Sequence, residues 1–299
     1  MRIANPIYDV VFKYLLQNNE IAILILSTIL EEDIVSLDFL PQETSIALES
    51  QSFTVYHLDF SARIRTPDGT LRQVVIEIPK AKFTADIMRF RRYLGEQYKE
   101  GFRFAGANAV EKAKDKEAEA PQPIPIISIY FLGYRLEQVR VPVIKVLRTY
   151  YDAATGQAIP AREDFIENLT HDSFVIQIPC LGPERRTAAE QLLAVFDQHL
   201  KVADDGHLLD IDETAYPGEY RQVIRRLSQA IEEPEISRIM RAEDEILAGL
   251  AAKERQIEKQ GEALAEKDKA LKEKDKVLEE KDQALEEKDR LIAELRKSR

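Results

Sequence analysis

Two carboxylates standing in otherwise apolar, strand-like runs carry the strongest chemical signal in this sequence. Asp59 lies within Tyr56-His57-Leu58-Asp59-Phe60, and Glu77 within Val74-Val75-Ile76-Glu77-Ile78-Pro79-Lys80. Between the two runs, Thr66-Pro67-Asp68-Gly69-Thr70 has the composition of a turn. A hairpin centred on Asp68 sets Asp59 directly across from Glu77, with Cβ atoms about 5 Å apart on one face of the sheet. Two like charges that close raise one pKa unless a cation neutralises them. A hard divalent ion, Mg2+ or Mn2+, takes oxygen ligands and keeps several waters, and the Ile78 carbonyl is available as a third donor. An ion so held activates water and stabilises the charge that develops as a phosphodiester is cleaved. The plainer alternative is an Asp59 that pairs with a nearby Arg or Lys.

Other chemistry has less to rest on. His57, His171, His199 and His207 show no ligand spacing, and a single cysteine, Cys180, can form neither an internal disulfide nor a zinc site. Cys180 reads as structural. No glycine-rich phosphate loop occurs in the sequence. Asp9 and Glu43 are further acids, assigned to the opening helices, and Asp9 could equally cap its helix or pair with Lys13.

The elements that must hold the acid pair follow from periodicity. Tyr8–Leu16 and Glu20–Leu30 repeat apolar residues at helical spacing, interrupted by Gln17-Asn18-Asn19. Phe53–Ile64 and Arg72–Ile78 alternate and are rich in β-branched and aromatic residues, which predicts the two strands of the hairpin. A helix is expected over Thr84–Lys99, and a charged, Ala- and Pro-rich insert at about 108–125 reads as a mobile loop. Ile126–Leu132 and Phe174–Ile178 read as further strands, and Arg185–His199 and Tyr220–Ile231 as amphipathic helices. The pattern is α/β. The expected organisation is a globular domain over residues 1–235 and a heptad-repeat helix over 236–299.

In that last segment Leu250, Ile257, Leu264, Leu271, Leu278, Leu285 and Ile292 fall seven apart. A seven-residue period implies a left-handed coiled coil, so a homodimer through the tail is expected. The second seam position is nevertheless polar, as in Lys267, Lys274, Lys281 and Lys288, and a solvated helix held by Glu/Lys pairs is the alternative.

Composition bounds the possibilities. A 299-residue chain that is 44% hydrophobic can bury a substantial core. Apolar runs such as Ile21–Leu30 are shorter than the roughly 20 residues of a membrane span, and no apolar leader opens the sequence, so a cytoplasmic protein without a membrane partner is expected. The net charge of −11 argues against coating nucleic acid by long-range attraction. Locally the balance reverses. Lys80, Lys82, Arg89, Arg91, Arg92, Lys99 and Arg103 outnumber Asp86, Glu96 and Glu100, which makes this stretch the candidate phosphate-contacting surface or, more plainly, a solvated helix face.

Several separated segments also carry a resemblance. Leu58-Asp59-Phe60, then Val75-Ile76-Glu77-Ile78, then Asp86–Tyr98 resemble the recombination-promoting nuclease/transposase (Rpn) family of the PD-(D/E)xK superfamily. The opening Asn5–Lys13, the segment Phe165–Ser173 and the strand ending Ile178-Pro179 are similar to members of that family in the same order, so the likeness covers about residues 1–235. It implies a restriction-endonuclease-like core, a mixed sheet flanked by helices, in which Asp59 and Glu77 hold Mg2+ or Mn2+ and DNA is cleaved. Asp9 fits the family's opening better than Glu43 as an extra metal ligand. The family's water-positioning Lys or Gln falls two residues beyond the Glu, where this chain has Pro79. A bulge at Pro79 could bring Lys80 or Lys82 to that role. The family's Gln-x-x-x-Tyr spacing is occupied by Arg89 and Tyr93, so Arg89, Arg92, Tyr93 and Lys82 become the expected DNA contacts. A chain disabled by Pro79 would instead act as a DNA-binding or coiled-coil interaction module.

Overall fold

A computed structural model describes residues 1–48, 51–66, 69–81, 86–100, 124–203 and 205–297. It divides into two compact units, Met1–Met240 and Arg241–Arg299. In chain order the first unit contains β1 (Arg2–Ala4), α1 (Asp9–Leu16), α2 (Asn19–Leu30), β2 (Asp33–Leu48), β3 (Gln51–Arg65), β4 (Leu71–Ile78), β5 (Lys80–Ala81) and α3 (Asp86–Glu100). It continues with β6 (Ile126–Leu132), β7 (Val143–Val146), β8 (Tyr150–Tyr151), β9 (Ala158–Ile159), α4 (Asp164–Leu169), β10 (Asp172–Gln177), α5 (Ala188–Leu193), β11 (Lys201–Val202), β12 (Asp205–Asp210) and α6 (Arg221–Gln229). The last helix, α7, runs over Pro234–Lys297. Except for residues 124 and 125, the insert expected at about 108–125 lies outside the described residues.

The main sheet is mixed, with strand order β2-β3-β4-β6-β10-β7 and β5 added alongside β6. β2, β3 and β4 form an antiparallel meander, β4, β6 and β10 run parallel, and β7 closes the far edge antiparallel. Alternation gives the sheet two different faces. On one, Phe60, Ala62, Ile76, Ile78, Ile129, Phe131 and Ile176 are buried in a single core with Phe12 and Leu15 of α1, Ile25 and Ile29 of α2, Leu193 of α5 and Ile224 of α6. Rings knit this core together, with Phe12 centred 4.9 Å from Phe131 and Phe131 5.4 Å from Phe196. The opposite face carries α3, whose Phe90 packs on Tyr130 and Leu132. The molecule is therefore α/β, a mixed sheet flanked by helices.

Three local departures from expectation have physical causes. β2 lacks a clean alternation at its start because a register shift between Ile34 and Ser36 breaks the period of two, so Ile34 and Leu37 both point inward while Val35 is exposed. Glu43, expected on a helix, lies in β2 opposite Tyr56. The helix expected over Arg185–His199 stops at Leu193 and gives way to 3₁₀ turns, because Asp197 is extended and its carboxylate accepts the His199 N–H at 2.9 Å to start a new turn. Among the described residues no single helix is long and apolar enough to cross a membrane, and the apolar pair α1 and α2 is bent by 100°.

Candidate metal centre

The hairpin register places Asp59 of β3 directly opposite Glu77 of β4, as the sequence pattern predicts. The pair belongs to a row that crosses four adjacent strands at one level. Glu77 is in register with Ser128 of β6, and Ser128 with Ser173 of β10. Direct partners share a face, so Asp59, Glu77, Ser128 and Ser173 all belong to the side on which α3 lies. Four polar residues in line through buried strands are uncommon company for Val75, Ile126 and Val175.

Burial sets the electrostatics of this row. Asp59 is 2% exposed, and removal from water pushes its carboxyl up from the ordinary carboxylate range to about 7. Two residues along the strand on the same face, Ser61 accepts a hydrogen bond from Gln73 Nε2 at 2.9 Å. Ser128 is fully buried, and its hydroxyl has no hydrogen-bond partner among the described residues. The Glu77 side chain lies outside the described ones; its backbone register alone assigns its face. Carboxylate and hydroxyl oxygens are hard donors, so the row suits Mg2+ or Mn2+ rather than a softer metal. Among the described residues no cluster of three or more His, Cys, Asp or Glu side chains is disposed to hold a metal.

Lys80 is placed elsewhere. The pairing of β4 and β5 with β6 passes through Pro79 without a shift: Glu77 opposes Ser128 and Lys80 opposes Phe131. The Phe131 N–H donates to the Pro79 carbonyl at 3.0 Å, so the proline, which lacks an N–H, still accepts a ladder bond. With no bulge, alternation sends Lys80 to the α1 face. There its ammonium pairs with Asp9 at 2.8 Å, donates to the Ile7 carbonyl and lies 5.3 Å from the centre of the Phe12 ring. This corrects the expectation that Lys80 serves the Asp59–Glu77 pair. It also corrects Asp9 as a third metal ligand, since Asp9 and Lys80 engage each other across the sheet from the row.

The expected DNA contacts divide similarly. Lys82 lies outside the described residues. Arg89 and Tyr93 belong to α3 one turn apart, with side chains outside the described ones, while Arg92 is exposed. Because Phe90 anchors α3 on Tyr130, this arginine-bearing helix lies on the same side of the sheet as Asp59.

Several polar features carry no obvious sequence signal. Arg148 bonds Asp172 at 3.0 Å and Glu167 at 2.7 Å and also donates to the Thr170 carbonyl, which ties α4 to the start of β10. Buried Asn5, in the opening segment, exchanges side-chain amide bonds with Gln198 and donates to the Gly206 carbonyl, so its role is to join β1 to β12. Cys180 borders a surface pocket of about 320 Å³ with Arg140, Gly182 and Arg186. No known protein family, curated protein or solved structure matches the chain.

Proposed function

We propose that this chain is a cytoplasmic Mg2+- or Mn2+-dependent DNA endonuclease of the PD-(D/E)xK kind, related to the recombination-promoting nucleases, with Asp59 and Glu77 as its cation ligands. The observation that carries this reading is the direct opposition of the two acids, one of them 2% exposed, on the sheet face that also carries α3 with Arg89, Arg91 and Arg92. When bound, the cation supplies an activated water and positive charge beside the scissile phosphate. Asp59 gives up its carboxyl proton on binding, because a metal ligand must be ionised. Arg89, Arg92 and Tyr93 of α3, with Lys82, contact the DNA backbone, the arginines by charge-assisted bonds to phosphate. Self-association through the tail brings two such centres to one DNA.

The test is nicking of supercoiled plasmid with Mg2+ or Mn2+ by the wild type, Asp59→Ala and Glu77→Ala. Cleavage should depend on the metal and fall at least a hundredfold in either variant, in keeping with loss of a cation's charge stabilisation. Wild-type activity no greater than that of the variants would end the enzyme reading.

A second reading is favoured by the orientation of Lys80. With Pro79 at the water-positioning place and Lys80 held by Asp9, the chain would bind DNA without cutting it. Pro79→Gln separates the two: a large gain in nicking marks a natural centre that is disabled, whereas unchanged activity removes Pro79 from consideration.

A further inference from the structure

An unpartnered hydroxyl at the heart of a packed sheet is costly, because burial strips its water and nothing replaces it. Ser128 is in that position, with no exposure and no partner for its Oγ among the described residues. Its place is not arbitrary. It is the residue of β6 in register with Glu77, on the face that also carries Asp59. The next strand spacing is about 4.8 Å, so a group held between Asp59 and Glu77 falls within reach of Ser128 through one water. Pro79, on the same face as Glu77, offers neither a proton nor a charge, and Lys80 points away to Asp9.

We propose that Ser128 is a positioning residue of the metal centre, whose hydroxyl hydrogen-bonds a water in the coordination shell of a divalent cation held by Asp59 and Glu77. This rests on the reading of those two acids as cation ligands. The hydroxyl stands in for the donor that Pro79 cannot supply. It acts through the coordinated water and does not bind the metal itself, so its loss weakens the site without abolishing it. Outer partners of metal ligands typically change affinity by about tenfold or more.

The experiment follows the melting temperature of the full chain while Mn2+ is added, for the wild type, Ser128→Ala, Ser173→Ala and Asp59→Asn. Mn2+ should stabilise the wild type in a saturable manner. Ser128→Ala should melt in EDTA at or above the wild-type temperature, since an unsatisfied polar group has been removed, yet need about tenfold more Mn2+ for half of the shift. Ser173, a further strand away and about 10 Å from Glu77, should be replaceable by Ala with an unchanged Mn2+ response. Asp59→Asn should lose the response. If Ser128→Ala titrates as the wild type does while Asp59→Asn does not respond, Ser128 has no part in the centre and the acid pair stands. If the wild type shows no shift, or Asp59→Asn keeps it, the acid pair itself is not a cation site and this role for Ser128 falls with it.

Discussion

Asp59 is held in a place where its charge is unwelcome. Its folded-state pKa of about 7 exceeds the ordinary 3.8, so the folded chain keeps a proton that the unfolded chain has released. Stability from this group is thus greatest at low pH, falls as pH rises through the window between the two values, and is fully lost above about 7. Asp59→Asn removes the ionisation. Without divalent cations it should raise stability at about pH 8 by on the order of 3 kcal/mol and change it little at about pH 4. Thermal melts of both proteins in EDTA at the two pH values measure this, and an equal difference at both would mean that the carboxyl is not desolvated. A group whose charge its own fold disfavours fits a site better than a scaffold. The pairing of Asp59 with Glu77 was legible from turn composition and alternation alone. Ser128 was not, because one serine in Ile126–Leu132 reads as an ordinary strand residue until parallel pairing sets it beside Glu77. The orientation of Lys80 hinged on whether Pro79 bulges the strand, which only the β6 ladder decides.

At the level of elements, local signals were the legible ones. α1, α2 and the β3–β4 hairpin are each defined by neighbouring residues, and periodicity located them. β1 is three residues long and pairs with β12, about 200 residues later, so no local window announces it. α3 illustrates how an element's footing bears on its work. Phe90, 4% exposed, joins Leu132 in a small cluster separate from the main core. Phe90→Ala removes that footing at a local cost of about 3 kcal/mol. Hydrogen exchange over residues 86–100 should then accelerate roughly a hundredfold while β3 and β6 keep their protection. Equal acceleration throughout would show that α3 is an integral part of the cooperative core.

For the whole molecule, the two compact units call for separate treatment. Leu264, Leu271, Leu278 and Leu285 are all more than half exposed on α7, an apolar stripe at seven-residue spacing. Ile236 and Met240, by contrast, are buried in the first unit's core, so a cut that preserves the fold belongs after Met240 and not at the change of composition near Pro234. A chain ending at Met240 should keep its melting transition and scatter as a monomer, where the full-length protein scatters as a dimer. A truncated chain that still scatters as a dimer would take self-association away from the tail. Lysines at the second seam position should make that association weak and salt-sensitive.

The closure of the small sheet has a consequence in time. β1 pairs with β12, and Asn5 clamps the two through Gln198 and the Gly206 carbonyl. Residues 2–4 therefore leave the ribosome about 200 residues before their partner strand. At 5–20 residues per second that is a wait of about 10–40 s, during which β1 has no strand to pair with. The main sheet ends at Gln177 and can cover α1 and α2 meanwhile, but β1 cannot seat until translation has nearly reached the tail.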